Sequence, residues 1–193
     1  SFSKRDAAAY RAVSAMLPLA AQRIAGLPDV AGTALTDRIP LRGFSIMPVF
    51  LPDRDSIPKL NRNPPMAHVV AGDFFRVAGM RILEGRPLRG ADGTGSAPVV
   101  VVNSSMARTF WPGQRAVGKC IVVATRDSAC RTVVGVASDA HYFGVFEQPA
   151  MQFYMTFAQA DTASQPGNIY PGAILIRGRP GRLASAVAEV RAV

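Results

Sequence analysis

The chain has 193 residues, is 49% hydrophobic and carries 22 Lys and Arg against 13 Asp and Glu, a formal net charge of +9. This apolar content excludes disordered and fibrous proteins and suffices for one sizeable core or two small subdomains. No stretch approaches the roughly 20 uncharged apolar residues that a membrane helix needs. Residues 12–22, for example, contain Pro18 and lie between Arg11 and Arg23.

The basic residues are spread from Lys4 to Arg191 instead of forming one block. Helix-turn-helix, zinc-finger and RNP-type motifs are missing, and no series of aromatic residues accompanies the arginines. We therefore expect a mildly basic solvated surface and no nucleic-acid partner.

The first predicted elements are a long helix and a strand. Residues 4–26 carry apolar positions at spacings of three and four, which predicts a helix that ends at Gly26. Its predicted inward positions are Ala9, Val13, Met16, Leu17, Ala20 and Ile24. A strand over residues 31–36 follows, so the chain opens as half of an α/β layer.

The next segment, residues 41–65, is rich in proline and is predicted as a strand interrupted by a mobile loop. Residues 67–71 form the following strand. A helix of one or two turns comes next, with Asp73 as its candidate cap and Phe74 and Phe75 in the core. The glycine-rich turn 89–95 lacks the G-K-[ST] of a phosphate loop and is interpreted as a surface turn.

The β-branched run over residues 98–102 predicts a strand buried on both faces, and Asn103 is placed to cap a short helix after it. The later segments are predicted as a hairpin (120–124 and 131–137), a strand (151–157), a loop (161–168), a strand (173–177) and a terminal helix (182–193) with Leu183, Val187 and Val190 inward. Because this helix stops without a cap, we expect an excised domain of a longer protein.

Residues with catalytic potential do not form a recognisable constellation. His68 and His141 lack helical metal spacing, and Ser104 and Ser105 lack the G-x-S-x-G context of a nucleophile. Three carboxylates beside turns or helix starts, Asp73, Asp139 and Glu147, are better explained by capping and solubility. Six aromatic residues fit core packing better than a ligand cleft: Tyr142, Phe143, Phe146, Phe153, Tyr154 and Phe157.

The two cysteines, Cys120 and Cys130, fit neither the C-x-x-C redox motif nor a zinc site. They flank the polar turn of the predicted hairpin. Their spacing is compatible with a disulfide across that hairpin and equally with two unpaired thiols.

An ordered series of segments identifies the family that the chain resembles. The segments are Gly-Asp-Phe-Phe-Arg-Val-Ala-Gly-Met (72–80), Leu-Glu-Gly-Arg-Pro-Leu (83–88), the strand 99–103, Ala-Arg-Thr-Phe-Trp-Pro-Gly (107–113), Val-Gly-Lys-Cys-Ile (117–121), residues 132–140 and residues 154–159. In this order they resemble the extracytoplasmic core domain of MacB/FtsX-type ABC transporter permeases. The opening helix and residues 26–41 fit the same family.

The resemblance implies a domain between the first and second membrane helices, on the periplasmic side of the bacterial inner membrane. It implies an α+β fold in two parts. Residues 1–40 and 140–193 would form a porter-like α/β subdomain, and residues 41–139 a β-rich, Sabre-like subdomain. An extracytoplasmic location also favours the Cys120–Cys130 disulfide.

The resemblance further implies a non-catalytic role, in which the domain transmits ATP-driven motion of the membrane helices to the periplasmic side. It implies no cofactor and no metal. The expected partners are the protein's own membrane helices, a cytoplasmic ABC ATPase subunit, a second copy or pseudo-copy of the permease and a periplasmic partner protein. The alternative is a periplasmic solute-binding or sensory module with a cleft near residues 142–157.

Overall fold

A computed structural model describes residues 4–38, 45–61, 63–141, 148, 150–164 and 169–192, with the backbone alone at 4–10, 45 and 161–164. The helices in this part of the chain are α1 (Lys4–Ala25), α2 (Phe74–Ala78), α3 (Ser104–Phe110), α4 (Phe157–Ser164) and α5 (Leu183–Arg191). The strands are β1 (Val30–Thr36), β2 (Ser45–Ile46), β3 (Val49–Phe50), β4 (Met66–Gly72), β5 (Ile82–Gly85), β6 (Val99–Asn103), β7 (Cys120–Val123), β8 (Arg131–Ala137), β9 (Gln152–Thr156) and β10 (Ala173–Gly178).

The strands form one mixed sheet in the order β10-β1-β4-β9-β6-β8-β7-β3, with β2 added to β4 and β5 added to β8. The β4–β9 and β6–β8 neighbours are parallel, and the other pairs are antiparallel. Strands of the predicted porter-like part (β1 and β9) alternate in the sheet with strands of the predicted Sabre-like part (β4 and β6), so one sheet runs through both parts. The division into two subdomains stays a prediction.

Each face of the sheet carries its own core, because successive strand residues point to opposite faces. On one face Val69 and Met155 pack with Met106 of α3 and Ala160 of α4. This face also carries α1, since the Thr33 hydroxyl donates to the Ala21 carbonyl. The opposite face carries α2, whose Phe74, Phe75 and Val77 pack against Val70, Val101 and Tyr154.

The buried β-branched strand is confirmed, since every residue of β6 is buried. Asn103 caps α3 as predicted, with its side chain accepting a hydrogen bond from the Met106 N–H. The hairpin of β7 and β8 is confirmed by the pairs Cys120–Thr132 and Ile121–Arg131. Within the proline-rich segment the described residues form β2 and β3, and residues 39–44 and 62 lie outside the described part.

The loop predicted over residues 161–168 is wrong in its first half, because α4 continues to Ser164; residues 165–168 lie outside the described part. The polar residues from Asp161 onward suggested a loop. Ahead of them, however, Ala158, Gln159 and Ala160 are compatible with a helix, and the last two are buried.

The predicted inward faces of the terminal helices are also wrong in part. Val13 and Met16 of α1 are 59% and 69% exposed, whereas Ser14, Ala21 and Ile24 are buried. An alanine-rich helix offers several stripes at spacings of three and four, and the sheet selects the one whose small residues allow close approach.

In α5 the predicted inward residues Leu183 and Val187 are 68% and 43% exposed, and Ala186 is the buried residue. It packs with Ile24 and Val30, with Val190 partly buried beside them. A small side chain at residue 186 therefore sets how closely α5 lies on the sheet.

Asp73 does not cap α2 with its side chain, which corrects a further prediction. Its carboxylate instead pairs with Arg76 one turn later. Phe74 and Phe75 are buried, as expected.

Gly135 of β8 allows the backbone of Arg86 to lie close to this strand. A Cβ at residue 135 would lie 2.1 Å from the Arg86 carbonyl oxygen. A clash with a backbone atom cannot be relieved by a change of side-chain rotamer. We expect Gly135→Ala to lower the free energy of unfolding by about 3 kcal/mol, measured by urea titration. The control is Gly90→Ala, whose Cβ would meet nothing within 4 Å. Equal unfolding midpoints for the two variants would contradict the predicted packing.

Candidate functional site

The first candidate site is a polar cluster where β6 ends and α3 begins. Asn103 is fully buried, and its Oδ1 accepts hydrogen bonds from the N–H groups of Met106 (3.0 Å) and Gln152 (2.9 Å). Its Nδ2 donates to Asp139 Oδ1 (2.7 Å) and to the Ala150 carbonyl (2.8 Å). One amide thus joins α3 to the segments before β9 and after β8.

Asp139 completes this cluster at the first turn of α3. Its carboxylate accepts hydrogen bonds from the Ser105 N–H (2.8 Å) and the Ser105 hydroxyl (2.9 Å), and it pairs with Arg108 at 3.2 Å. The Ser104 hydroxyl lies 3.4 Å away. A carboxylate here stabilises the positive end of the helix.

The structure therefore brings together Ser104, Ser105 and Asp139, which the sequence analysis had considered and set aside as catalytic candidates, in a capping arrangement. The hydrogen bonds of the Asp139 carboxylate go to these residues, Asn103 and Arg108, and none of those described joins it to His141. The described hydrogen bonds of the two serine hydroxyls join them to Asp139 and Arg108, and none of these bonds joins them to a histidine. Sequence reasoning missed this grouping, which depends on the parallel pairing of β6 with β8.

The other two carboxylates considered in the sequence analysis are Asp73 and Glu147. Asp73 is paired with Arg76, and Glu147 lies outside the described residues. Within the part of the chain that the structure describes, no three His, Cys, Asp or Glu side chains are grouped so as to hold a metal ion.

His68 is a core residue of β4. It is 1% exposed and its ring stacks on Tyr154 with centroids 5.0 Å apart. Burial lowers the pKa of His68 from 6.5 to about 3, because the charged imidazolium is poorly solvated there. The ring is therefore neutral at neutral pH and contributes packing to the core.

The predicted aromatic group is divided by the sheet. Phe153 and Tyr154 are buried on opposite faces, and Phe157 packs against the core that contains Phe153. Tyr142, Phe143 and Phe146 lie outside the described residues. Beside Tyr154, a cleft of about 300 Å³ lies between α2, β9 and β10, with Gln152 and His141 in its lining.

The two cysteines meet across the β7–β8 hairpin. The structure joins Cys120 and Cys130 as a disulfide, with Cα atoms 5.7 Å apart. This Cα distance lies within the range that a disulfide requires.

The second candidate site is the junction of the terminal helices, defined as the α1–β1 turn (26–29) and the β10–α5 loop (179–182) with the helix ends beside them. The Arg179 Nε donates to the Pro28 carbonyl (2.7 Å), and the Arg179 N–H donates to the Asp29 carbonyl (2.8 Å). The Asp29 N–H in turn donates to the Glu189 carboxylate (3.2 Å). Below these bonds Ile24 and Ala186 share a small apolar cluster.

This junction fixes α1 and α5 to the same edge of the sheet. Arg182 lies 4.0 Å from Asp29 and adds a weak, mostly exposed ion pair. None of the helices in the described part is long and apolar enough to span a membrane.

The sequence profile of the MacB-like periplasmic core domain matches residues 7–193. The chain belongs to this family. The family comprises periplasmic or extracellular domains of ABC transporter permeases, so the resemblance predicted from the sequence is confirmed. A search of curated proteins finds no match.

Several solved structures share the fold. The periplasmic region of MacB from Actinobacillus actinomycetemcomitans has a TM-score of 0.58 at 15% identity, over 90% of this chain and 70% of that one. The extracellular domain of the noncanonic ABC-type transporter YknZ from Gram-positive bacteria has a TM-score of 0.57 at 12% identity, over 87% and 76%. A domain of a putative permease from Porphyromonas gingivalis has a TM-score of 0.51 at 20% identity, over 90% and 68%.

These likenesses confirm a mixed, sheet-dominated α/β fold like that of the MacB periplasmic region. At such low identities they concern the fold alone. They assign no cargo and no periplasmic partner to this chain.

The buried His68 predicts how stability depends on pH. The unfolded chain binds a proton on this residue near pH 6.5 and the folded chain only near pH 3, so the free energy of unfolding falls as the pH is lowered between these values. As the pH is lowered from 6 to 4, the free energy of unfolding of His68→Phe should fall by about 1.4 kcal/mol less per pH unit than that of the wild type. Urea titration at each pH measures this difference.

The control is Val69→Ala, which removes packing beside His68 but no titratable group, and should lower the free energy of unfolding while keeping the wild-type slope. An unchanged slope in His68→Phe would contradict a buried neutral histidine.

Proposed function

We propose that this domain stands on the periplasmic side of the bacterial inner membrane, between the first and second membrane helices of a MacB/FtsX-type permease. In this role α1 and α5 transmit force between the membrane helices and the sheet. A cytoplasmic ABC ATPase supplies the motion, and the domain works in a dimer or pseudo-dimer with a periplasmic partner protein. The family match over residues 7–193 is the observation that carries this proposal.

The junction of the terminal helices supports a mechanical role. α1 lies mainly on β1 and α5 lies on β10, and the bonds of Asp29, Arg179 and Glu189 tie their connecting segments together. A displacement of either helix therefore reaches the same edge of the sheet. The continuous sheet behind that edge is stiff, because its central strands are buried on both faces and close-packed.

Transmission of motion needs no reacting group. The polar cluster of Asn103, Ser105 and Asp139 is explained by the capping of α3. Because one continuous sheet joins them, we also propose that the porter-like subdomain, 1–40 and 140–193, and the Sabre-like subdomain, 41–139, move as one body.

The location is tested by protease accessibility in the full-length gene product. We expect cleavage within the domain in intact spheroplasts, with the products in the membrane fraction, and no cleavage in sealed inverted vesicles. Cleavage only in inverted vesicles, or a soluble product, would contradict the proposal.

The periplasmic location also predicts that Cys120 and Cys130 are oxidised in the cell. Alkylation of the denatured protein, purified under thiol-blocking conditions, should detect no free thiol before reduction and two after it. Reduction should lower the free energy of unfolding by about 3 kcal/mol, because it releases a loop of about ten residues.

The matched control is the double variant Cys120→Ser/Cys130→Ser, whose unfolding should not respond to the reductant. Two free thiols in the protein as isolated would contradict the predicted disulfide.

A further inference from the structure

A second cleft, of about 470 Å³, lies where β4 and β9 end. These strands are parallel neighbours, with Val70 opposite Thr156 near their carboxyl ends. The chain therefore leaves both strands at the same end of the sheet. The cleft is open between these two exits, and its volume lies in the range of about 300–1,000 Å³ that is usual for small-molecule sites.

The topology explains why a cleft forms at this place. After β4 the chain enters α2, whose Phe74 and Phe75 pack on the Tyr154 face of the sheet. After β9 it enters α4, whose Ala160 packs on the opposite face with Met155. Parallel neighbours whose following helices diverge to opposite faces leave a crevice between them, and this is where open α/β sheets bind ligands.

The walls of the cleft are mainly apolar. They are formed by Val70, Phe74, Phe75, Leu88 and Phe157, with small residues of the glycine-rich turn at the mouth. That turn, interpreted from the sequence only as a surface turn, thus borders the cleft. Walls of this kind suit a hydrocarbon chain.

The carboxylates that border the cleft are already neutralised. Asp92 accepts a bidentate pair of hydrogen bonds from Arg86 (2.7 and 2.8 Å) and a third from the Arg89 N–H (2.8 Å). These bonds lower the pKa of Asp92, so it is ionised and paired at neutral pH. Asp73 is paired with Arg76.

Arg89 carries a positive charge that these ion pairs do not balance, although this charge also acts on Asp92. It is exposed, it borders the cleft, and its guanidinium takes part in none of the ion pairs or side-chain hydrogen bonds found among the described residues. A guanidinium is always charged near neutral pH and binds carboxylates well. The mouth of the cleft therefore favours one negative charge.

We propose that this cleft binds a small amphiphile that has a hydrocarbon chain and one carboxylate, such as a medium-chain fatty acid. The chain lies between Phe74, Phe75 and Leu88, and the carboxylate meets Arg89 at the mouth. This inference is independent of the proposed transmission of motion, and it can hold or fail for this chain whatever the permease does.

The test is isothermal titration calorimetry of this chain with sodium decanoate, kept below its micelle concentration. We expect saturable binding to one site. Decan-1-ol, which has the same chain without the charge, should bind more weakly. Binding of decan-1-ol as tight as that of decanoate would overturn the assignment of the anionic group, and an absence of saturable decanoate binding would overturn the site.

Two variants locate the binding. Arg89→Gln should weaken decanoate binding about threefold to fivefold, as expected for an exposed ion pair. Its matched control, Arg54→Gln, removes another exposed arginine that does not border the cleft and should leave the affinity unchanged. An equal effect of both variants would mean that decanoate responds only to net charge, which overturns the proposal.

Ala158→Leu adds a side chain to the lining of the cleft at the start of α4 and should abolish saturable binding. Thermal unfolding of the variant confirms that it folds. Wild-type affinity in a folded Ala158→Leu protein would place the ligand elsewhere. The Arg89→Gln variant replaces an exposed side chain that lies outside the described ion pairs, so it should fold. It therefore tests the proposal even if Ala158→Leu does not fold.

Discussion

The fold depends on the pairing of β9 with two neighbours at once. This strand pairs in parallel with β4 on one edge and antiparallel with β6 on the other, and it thereby joins the β1–β10 part of the sheet to the β6–β8 part. Phe153 and Met155 enter the core on one face, and Tyr154 enters the core on the other. Since both cores meet at this strand, a disturbance of either face reaches the whole sheet.

Local patterns predicted the elements well where the burial pattern was simple. The run over residues 98–102 predicted a strand buried on both faces, because β-branched residues without alternation fit no exposed face, and β6 is buried throughout. In contrast, the buried stripe of α1 could not be chosen from spacing, because the sheet selects Ala21 over the larger Met16. The meeting of Asp139 with Ser105 could not be predicted either, since it depends on pairing between distant strands.

The proposed role follows from how the chain is connected. The terminal helices lie on the same edge of the sheet, and hydrogen bonds of Asp29 and Arg179 connect their adjoining segments. Displacement of these helices should therefore tilt the sheet as a body. The exposed apolar residues of α1 and α5, Val13, Met16, Leu183 and Val187, leave surface available for partners beside that edge. The cleft proposed as a ligand site lies at the carboxyl ends of β4 and β9, at the end of the sheet where β1 begins, because β1 is antiparallel to β4.

The central claim is that ATP turnover moves this domain as a rigid body. The most direct measurement is the distance between spin labels by pulsed electron paramagnetic resonance. The sample is the full-length permease with its ATPase in lipid nanodiscs, with one label in each outer domain at the exposed Arg115. We predict that the distance between the two outer domains changes between the nucleotide-free and ATP-trapped states. A second label pair within one domain, at residues 54 and 115, should keep its distance. An unchanged distance between the domains, or a change only within one domain, would contradict the account.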